Sequence, residues 1–177
     1  VWCVVAARIV GNIVGAFYAG LQVRAISRIS LVNPLHVWAE LLVIREAKDP
    51  SCSADAWHSE TNAKWDFLSG GYGVEVKASI GDKRRHTFSL EQFQEPTNLL
   101  LASVILRESE HGLSLSKLLD DVLKRLEEPE RSKVQAIALE TIGDNNQAAS
   151  DLRFNLNDAI DDLKFFRAID VPHIQFP

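Results

Sequence analysis

Two carboxylates and an ammonium group stand close together in one short stretch of this sequence. Asp66 is followed by Glu75 and, two residues further on, by Lys77. Side chains two residues apart in a strand share a face, so Glu75 and Lys77 are expected on one surface. If the chain reverses at the glycine-rich turn Ser69–Gly71, Asp66 comes close to Glu75 across a hairpin. Two convergent carboxylates suit a hard divalent cation such as Mg²⁺.

A cation held there would act on a phosphoryl group, because it polarises a phosphoryl oxygen and lowers the pKa of a coordinated water. Lys77 could orient that water or offset developing negative charge. The alternative is an exposed sheet face with a cross-strand ion pair, and the spacing alone leaves both interpretations open. Val74 and Val76 favour the chemical interpretation, because they indicate a strand packed into a core, where charged neighbours need partners or an ion.

These groups must be positioned by a β-hairpin, with strands at 65–68 and 72–79 on either side of the turn. The surrounding pattern predicts further strands at 86–90 and 98–106, the second buried on both faces. We expect three helices, over 34–48 with Asn33 as N-cap, from Ser114 onward, and over 131–140. A loop is expected over 50–64, and strand or mixed structure over 151–169. The predicted core members of that last segment are Phe154, Leu156, Phe165, Phe166 and Ile169. This order of elements predicts an α/β or α+β domain with a mixed sheet.

The composition is that of a single globular domain with an acidic balance. The 177 residues are 46% hydrophobic, and the net charge of -5 does not favour attraction of nucleic acid or anionic lipid by the whole surface. A polyanion would need a local patch, and Lys83-Arg84-Arg85-His86 is the dense basic cluster. This cluster could neutralise phosphates, or it could be a solvated turn. Gln92 could orient a phosphate or water by hydrogen bonds, or cap a helix.

Neither a disulfide framework nor a zinc site is indicated by the cysteines and histidines. Cys3 and Cys52 lack the paired spacing of either, which makes a reducing cytosol the expected compartment. The histidines show no common ligand spacing, which argues against zinc: His36, His58, His111 and His173.

The most apolar stretch lies at the start of the chain, over residues 1–23. Arg8 interrupts it, and no run reaches the roughly 18 residues that a membrane-spanning helix needs. We therefore expect residues 1–30 to pack on the core of the domain and expect no membrane partner. The chain begins with Val and contains no Met, which suggests a piece of a longer protein.

Several segments together resemble the PD-(D/E)XK nucleases, in particular a little-characterised bacterial branch that occurs beside restriction and phage-defence genes. The resemblance covers roughly residues 34–176 and leaves the first 30 unmatched. It implies a domain over 31–177 with a restriction-endonuclease-like core, which is an α/β fold with a central mixed β-sheet flanked by α-helices. The segments that carry it are W-D-F at 65–67, V-E-V-K-A-S at 74–79, R-R-H-T-F-S-L-E-Q at 84–92, A-E-L-L at 39–42, L-S-L-S-K-L-L at 113–119 and F-F-R-A-I-D-V-P-H-I at 165–174.

The resemblance also implies roles for individual residues. It makes Asp66 and Glu75 metal ligands, the Val76 carbonyl a further ligand, and Lys77 the residue that acts on the attacking water. Glu40 matches an acid that many such nucleases bring from the first helix to the same ion, although an ordinary helix-surface glutamate is an equal alternative. The sequence departs from the family pattern at residue 65, where a tryptophan replaces the proline before the first acid.

The implied activity is Mg²⁺-dependent hydrolysis of DNA phosphodiester bonds in restriction or phage defence, with Mn²⁺ able to substitute. The basic cluster Lys83, Arg84, Arg85 and His86, together with Gln92, would then contact DNA. The alternative is a catalytically inactive DNA-binding or assembly subunit with the same fold, and the intact Asp66, Glu75 and Lys77 argue against it. Double-strand cleavage would normally call for two active sites, so a homodimer or a defence complex is expected.

Overall fold

The computed structural model describes residues 22–25, 34–58, 65–88, 98–142 and 152–171. The helices are α1 (Pro34–Glu46), α2 (Pro50–Ala56), α3 (Leu115–Leu123), α4 (Glu130–Ile142) and α5 (Leu156–Asp162). The strands are β1 (Gln22–Ala25), β2 (Phe67–Ser69), β3 (Tyr72–Ile80), β4 (Arg85–Phe88), β5 (Leu99–Leu106), β6 (Glu108–Ser114), β7 (Arg153–Phe154) and β8 (Lys164–Arg167). A 3₁₀ turn over Ala168–Asp170 follows β8. In these ranges no helix has the length and apolar character needed to cross a membrane.

A mixed four-stranded sheet lies at the centre, in the order β2-β3-β5-β8. β3 and β5 run parallel, while β2 and β8 lie antiparallel to their neighbours. β5 is buried along nearly its whole length, as its unbroken apolar run predicted. Two smaller ladders join β1 to β4 and β6 to β7. The predicted mixed sheet flanked by helices is confirmed.

The hairpin of β2 and β3 turns at two glycines, as predicted. Gly70 and Gly71 have φ values of 58° and 80°, in the left-handed region that two-residue hairpin turns require. The register pairs Phe67 with Val74. Antiparallel pairing extended by one residue sets Asp66 opposite Glu75, so the turn geometry brings together the two acids.

α1 packs on β3 of the sheet, and α3 packs on α1, so that all three contribute to one hydrophobic core. α1 is buried continuously from Val37 to Ile44, which marks it as a central helix rather than a surface one. Trp38 donates from Nε1 to the Leu113 carbonyl at 3.1 Å, which ties α1 to β6. Val74 and Val76 belong to this core, so strand alternation turns Glu75 and Lys77 to the opposite face, as expected.

Two expectations were wrong. The predicted loop over 50–64 contains α2, which begins at Pro50 and is capped by the Asp49 side chain accepting from the Cys52 N–H at 3.0 Å. An acidic N-cap followed by proline is typical of a helix start. The turn-forming residues that follow it led to the prediction of a loop. Ile169, predicted in the core, is 50% exposed because it lies in the 3₁₀ turn beyond the sheet.

Most of the remaining predictions are confirmed, and the others concern residues outside the described ranges. Phe154 and Phe165 are fully buried as predicted, while Leu156 and Phe166 are half-buried. The predicted helices of α1, α3 and α4 are present, and β6 is an additional strand that its charged sequence did not reveal. Asn33, Gln92 and most of residues 1–30 lie outside the described ranges.

Candidate active site

Asp66 is held at the point where the chain enters the hairpin. Its Oδ2 atom accepts the Val76 N–H at 2.6 Å, and its backbone carbonyl accepts the His58 N–H at 2.9 Å. The first bond fixes the carboxylate to the central strand β3, and the second fixes the Asp66 backbone to the residue that follows α2. Val76, expected to offer its carbonyl to a metal, therefore also positions the first acid through its N–H group.

Trp65 anchors the same entry point by packing on β3. A Cβ atom on Gly73 would lie 2.1 Å from Cε3 of the Trp65 ring, so only glycine leaves room for the indole. Trp65 is 7% exposed and belongs to a small cluster with Leu99 and Ala168. The tryptophan that replaces the family's proline is thus a packing residue that fixes the backbone beside Asp66.

Glu40 comes to the site from α1 and is buried rather than exposed on a helix surface. It is 5% exposed, and its Oε2 atom accepts the Trp57 Nε1–H at 2.8 Å. The same oxygen lies 3.2 Å from Nε2 of His58. A buried carboxylate needs such partners because desolvation disfavours its charge. The end of α2 supplies both partners and thereby aims Glu40 toward Asp66.

Three side chains converge closely enough to bind one ion. Ligand atoms of Glu40, His58 and Asp66 all lie within 4.8 Å of one another. Burial raises the pKa of Asp66 well above its usual range, and the negative charges of Glu40 and Glu75 raise it further. The Val76 N–H and Lys77 act in the opposite direction. Carboxylate oxygens and an imidazole are chemically suited to a divalent cation, which would compensate the gathered negative charge.

Glu75 and Lys77 form an ion pair next to this cluster. Lys77 Nζ lies 2.6 Å from Glu75 Oε1, and Glu75 is 4% exposed. The pair stands on the face of β3 that points away from the hydrophobic core. The structure therefore brings the two predicted acids and the lysine into one region, with Glu75 close enough to raise the pKa of Asp66.

The basic cluster divides between an inward and an outward set. Arg84 donates to the Ser103 carbonyl and hydroxyl, both at 2.8 Å, and pairs with Asp162. His86 is 4% exposed, and its Nε2 lies 2.6 Å from Ser103 Oγ. Burial, followed by the charges of Arg84 and Lys77, lowers the pKa of His86 to about 4.

The outward set of the cluster consists of Lys83 and Arg85, both exposed. Strand alternation along β4 explains the division, since Arg85 faces away from its buried neighbour His86. Arg84 and His86 thus have intramolecular partners, whereas Lys83 and Arg85 present their charges to solvent.

His58 is a site residue that the sequence did not reveal. It had no ligand spacing relative to other histidines, and it fell in a segment predicted to be a loop. The Asp49-Pro50 helix start was the available signal, because a short α2 returns the chain to α1 and delivers Trp57 and His58 beside Glu40.

Comparison with known proteins identifies a family for this chain. A family model described as "Putative PD-(D/E)XK family member, (DUF4420)" matches residues 28–159, about three quarters of the chain. No curated protein and no solved structure gives a match. The matched span contains Glu40, Asp66, Glu75 and Lys77. The chain therefore belongs to this PD-(D/E)XK family, as its sequence segments predicted, and its mixed sheet flanked by helices is the corresponding restriction-endonuclease-like α/β fold.

Proposed function

We propose that the protein is a metal-dependent DNA endonuclease that hydrolyses phosphodiester bonds in bacterial restriction or phage defence. One observation carries the proposal: ligand atoms of Glu40 and Asp66 lie within 4.8 Å of each other in a PD-(D/E)XK family member, and the charges of Glu75 and Lys77 act on Asp66. Glu40 and Glu75 both raise the pKa of Asp66 by their charge, so three carboxylates act on one another at this point of the chain.

Asp66 and Glu75, together with Glu40 and the Val76 carbonyl, are proposed to hold Mg²⁺, with Mn²⁺ able to substitute. When bound, the cation supplies polarisation of a phosphoryl oxygen and a lowered pKa for water. The residues themselves contribute position, since the Val76 N–H and Trp57 Nε1–H hold two of the carboxylates at fixed points. Fixed ligands avoid reorganisation when charge develops.

Lys77 is proposed to act on the attacking water and on the charge of the transition state. Its ammonium group is held by Glu75 at 2.6 Å, and its side chain remains 13% exposed at the edge of the site. An ammonium group at that position would donate a hydrogen bond to the attacking water and offset negative charge on the phosphate. Such positioned donors stabilise the added negative charge on phosphate oxygens.

DNA is proposed to lie along the outward side of the basic cluster, with Lys83 and Arg85 contacting phosphates. Arg84 and His86 then shape the strand from which Arg85 projects, and Gln92 stays a proposed contact. Because the chain as a whole carries a charge of -5, binding relies on a few local phosphate contacts. We propose action in the cytoplasm as a homodimer or within a defence complex, since cutting both strands calls for two sites.

Plasmid nicking tests the activity. We expect wild-type protein to cleave supercoiled plasmid with Mg²⁺ or Mn²⁺ and not with excess chelator. Lys77→Met should lower the rate by about 10²- to 10⁴-fold, the range of a lost proton-transfer or charge-stabilising group. Lys117→Met, which removes an exposed lysine on α3, should leave the rate unchanged.

Two results would contradict the proposal. Equal cleavage by Lys77→Met and wild type would exclude the assigned role of Lys77. Wild-type protein that binds plasmid in a mobility-shift assay but never cuts it would instead indicate the inactive DNA-binding subunit.

A further inference from the structure

His58 occupies a position that its interaction with Glu40 alone does not explain. Its Nε2 atom is 3.2 Å from Glu40 Oε2, and one of its ring nitrogens lies within 4.8 Å of an Asp66 carboxylate oxygen. The side chain is 39% exposed, so the ring reaches solvent while it stays next to both carboxylates. Glu40 accepts the Trp57 N–H on the same oxygen, so His58 is the second partner of that oxygen and the one that also lies next to Asp66.

The backbone holds His58 in an uncommon conformation. Its φ of 42° lies in the left-handed region, which non-glycine residues seldom adopt. The conformation is maintained by the His58 N–H donating to the Asp66 carbonyl and by the ring packing on Trp57, with centroids 5.2 Å apart. Such conformations persist where surrounding contacts enforce them, often at functional sites. These two contacts, together with the contact between Nε2 and Glu40, set the position of the imidazole relative to Asp66.

The distances are also those of neighbouring ligands around one ion. Two ligand atoms that each lie about 2.1 Å from a cation, at right angles, are about 3 Å apart. The Nε2–Oε2 separation of 3.2 Å is close to this value. A neutral imidazole offers a nitrogen lone pair, which is the form in which histidine binds metals.

We propose that His58 is a direct ligand of the cation and makes the site prefer Mn²⁺ over Mg²⁺; this rests on the proposed function, because it concerns the same ion. Mg²⁺ favours oxygen ligands and retained waters, whereas imidazole nitrogen suits first-row transition metals. A site with one nitrogen and several carboxylate oxygens therefore gains affinity for Mn²⁺ with little gain for Mg²⁺. His58 would thus join Asp66, Glu75, Glu40 and the Val76 carbonyl as a ligand, delivered by the end of α2.

The test uses cation binding without DNA. Pulsed EPR of the Mn²⁺-loaded wild-type protein should show coupling to a directly bound ¹⁴N nucleus, and His58→Asn should lose it. Asparagine tolerates a positive φ and keeps a hydrogen-bond donor, but it presents no imidazole nitrogen. By calorimetry, His58→Asn should bind Mn²⁺ on the order of 10-fold more weakly, with Mg²⁺ affinity changed by less than about 3-fold. His111→Asn, an exposed histidine on β6, should match wild type in both measurements.

His58→Gln serves as a second variant, because its longer amide can still donate to Glu40, and it should lose the ¹⁴N coupling as well. Equal losses of Mn²⁺ and Mg²⁺ affinity would overturn the proposal and show that His58 only orients Glu40. A wild-type Mn²⁺ complex without ¹⁴N coupling, or no Mn²⁺ binding at all, would also overturn it. Cleavage plays no part in these readings, so ¹⁴N coupling in a protein that never nicks plasmid would support this inference while the proposed function fails.

Discussion

Two clusters of polar groups lie near each other in this domain and are built on opposite principles. The acidic site consists of Glu40, His58, Asp66 and Glu75, with Lys77 at its edge. The Arg84 network consists of Arg84, His86, Ser103 and Asp162. Lys77 and Ser103 are direct partners in the register of β3 and β5, so the two clusters meet across adjacent strands.

The difference lies in how charge is balanced. In the Arg84 network a guanidinium faces a carboxylate, and burial keeps His86 neutral by lowering its pKa to about 4. In the acidic site burial, followed by the negative charges of Glu40 and Glu75, raises the pKa of Asp66. Like charges gathered at partly buried positions reduce stability unless an ion joins them. The Arg84 network therefore pairs its charges within the protein, whereas the acidic site gathers like charges that the proposed cation would compensate.

The largest expected effect comes from Asp66→Asn, which should separate activity from stability. Cleavage should fall by at least about 10³-fold, equivalent to about 4 kcal/mol of lost cation-dependent stabilisation. In the absence of cations the free energy of unfolding should stay equal or rise by about 1 kcal/mol, because asparagine keeps an acceptor for the Val76 N–H and removes a repelled charge.

Plasmid nicking and chelator-treated urea unfolding measure these two quantities for Asp66→Asn. Asp120→Asn, at an exposed position on α3, is the matched control and should change neither. A metal-free Asp66→Asn protein that is clearly less stable than wild type would show that Asp66 is paired as in the network, and the contrast would fail.

Arg84→Met should give the opposite pattern, with stability lost. Removing one member of a partly buried ion pair leaves its partners poorly satisfied, so we expect the free energy of unfolding to fall by about 3 kcal/mol. This value is at the lower end for such pairs because Asp162 keeps its ion pair with Arg107. Urea unfolding provides the measurement. Arg85→Met, the exposed neighbour, should alter stability by less than about 0.5 kcal/mol, and equal effects of the two variants would argue against an inward-facing Arg84.

Local patterns in the sequence predicted much of the frame that positions the acidic site. The glycine turn and the alternation in β3 placed Asp66, Glu75 and Lys77 together, since both signals act within a few residues. The unbroken apolar run of β5 predicted a strand buried on both faces, and the structure confirms it. These features depend on short-range geometry, which a single sequence carries.

Contacts between distant segments could not be predicted in the same way. His58 contacts Glu40, which lies 18 positions earlier in the chain. The contact depends on α2, a helix that the turn-forming residues of its segment did not predict. Arg84 meets Asp162 from 78 positions away, so a run of four basic residues gave no sign that two of them turn inward. Both clusters depend on how separate elements pack, and the sequence of either segment alone is compatible with a solvated surface.

The smallest expected effect concerns the response of the Arg84 network to acid. His86 has a pKa of about 4 in the folded protein and about 6.5 when unfolded, so the unfolded chain binds more protons between these values. Stability is therefore complete above pH 6.5 and is lost as the pH falls toward 4. From pH 6.5 to 5 the loss from this residue is about 1.5 kcal/mol. His86→Gln, which does not titrate, should remove this share of the pH dependence in urea unfolding.

On acidification the stability contributed by the acidic site should change in the opposite direction. The effect of His86 therefore has to be measured as a difference between two proteins. The folded pKa of Asp66 is raised, so its protonation on acidification relieves repulsion and increases stability. The free energy of unfolding of His86→Gln is therefore subtracted from that of wild type at each pH. The contribution of Asp66 is the same in both proteins and cancels, which leaves the contribution of His86. His111→Gln, exposed on β6, should retain the wild-type slope. If the pH dependence of the free energy of unfolding were the same in His86→Gln as in wild type, His86 would be protonated as readily in the folded chain as in the unfolded one. The Arg84 network would then not lower its pKa.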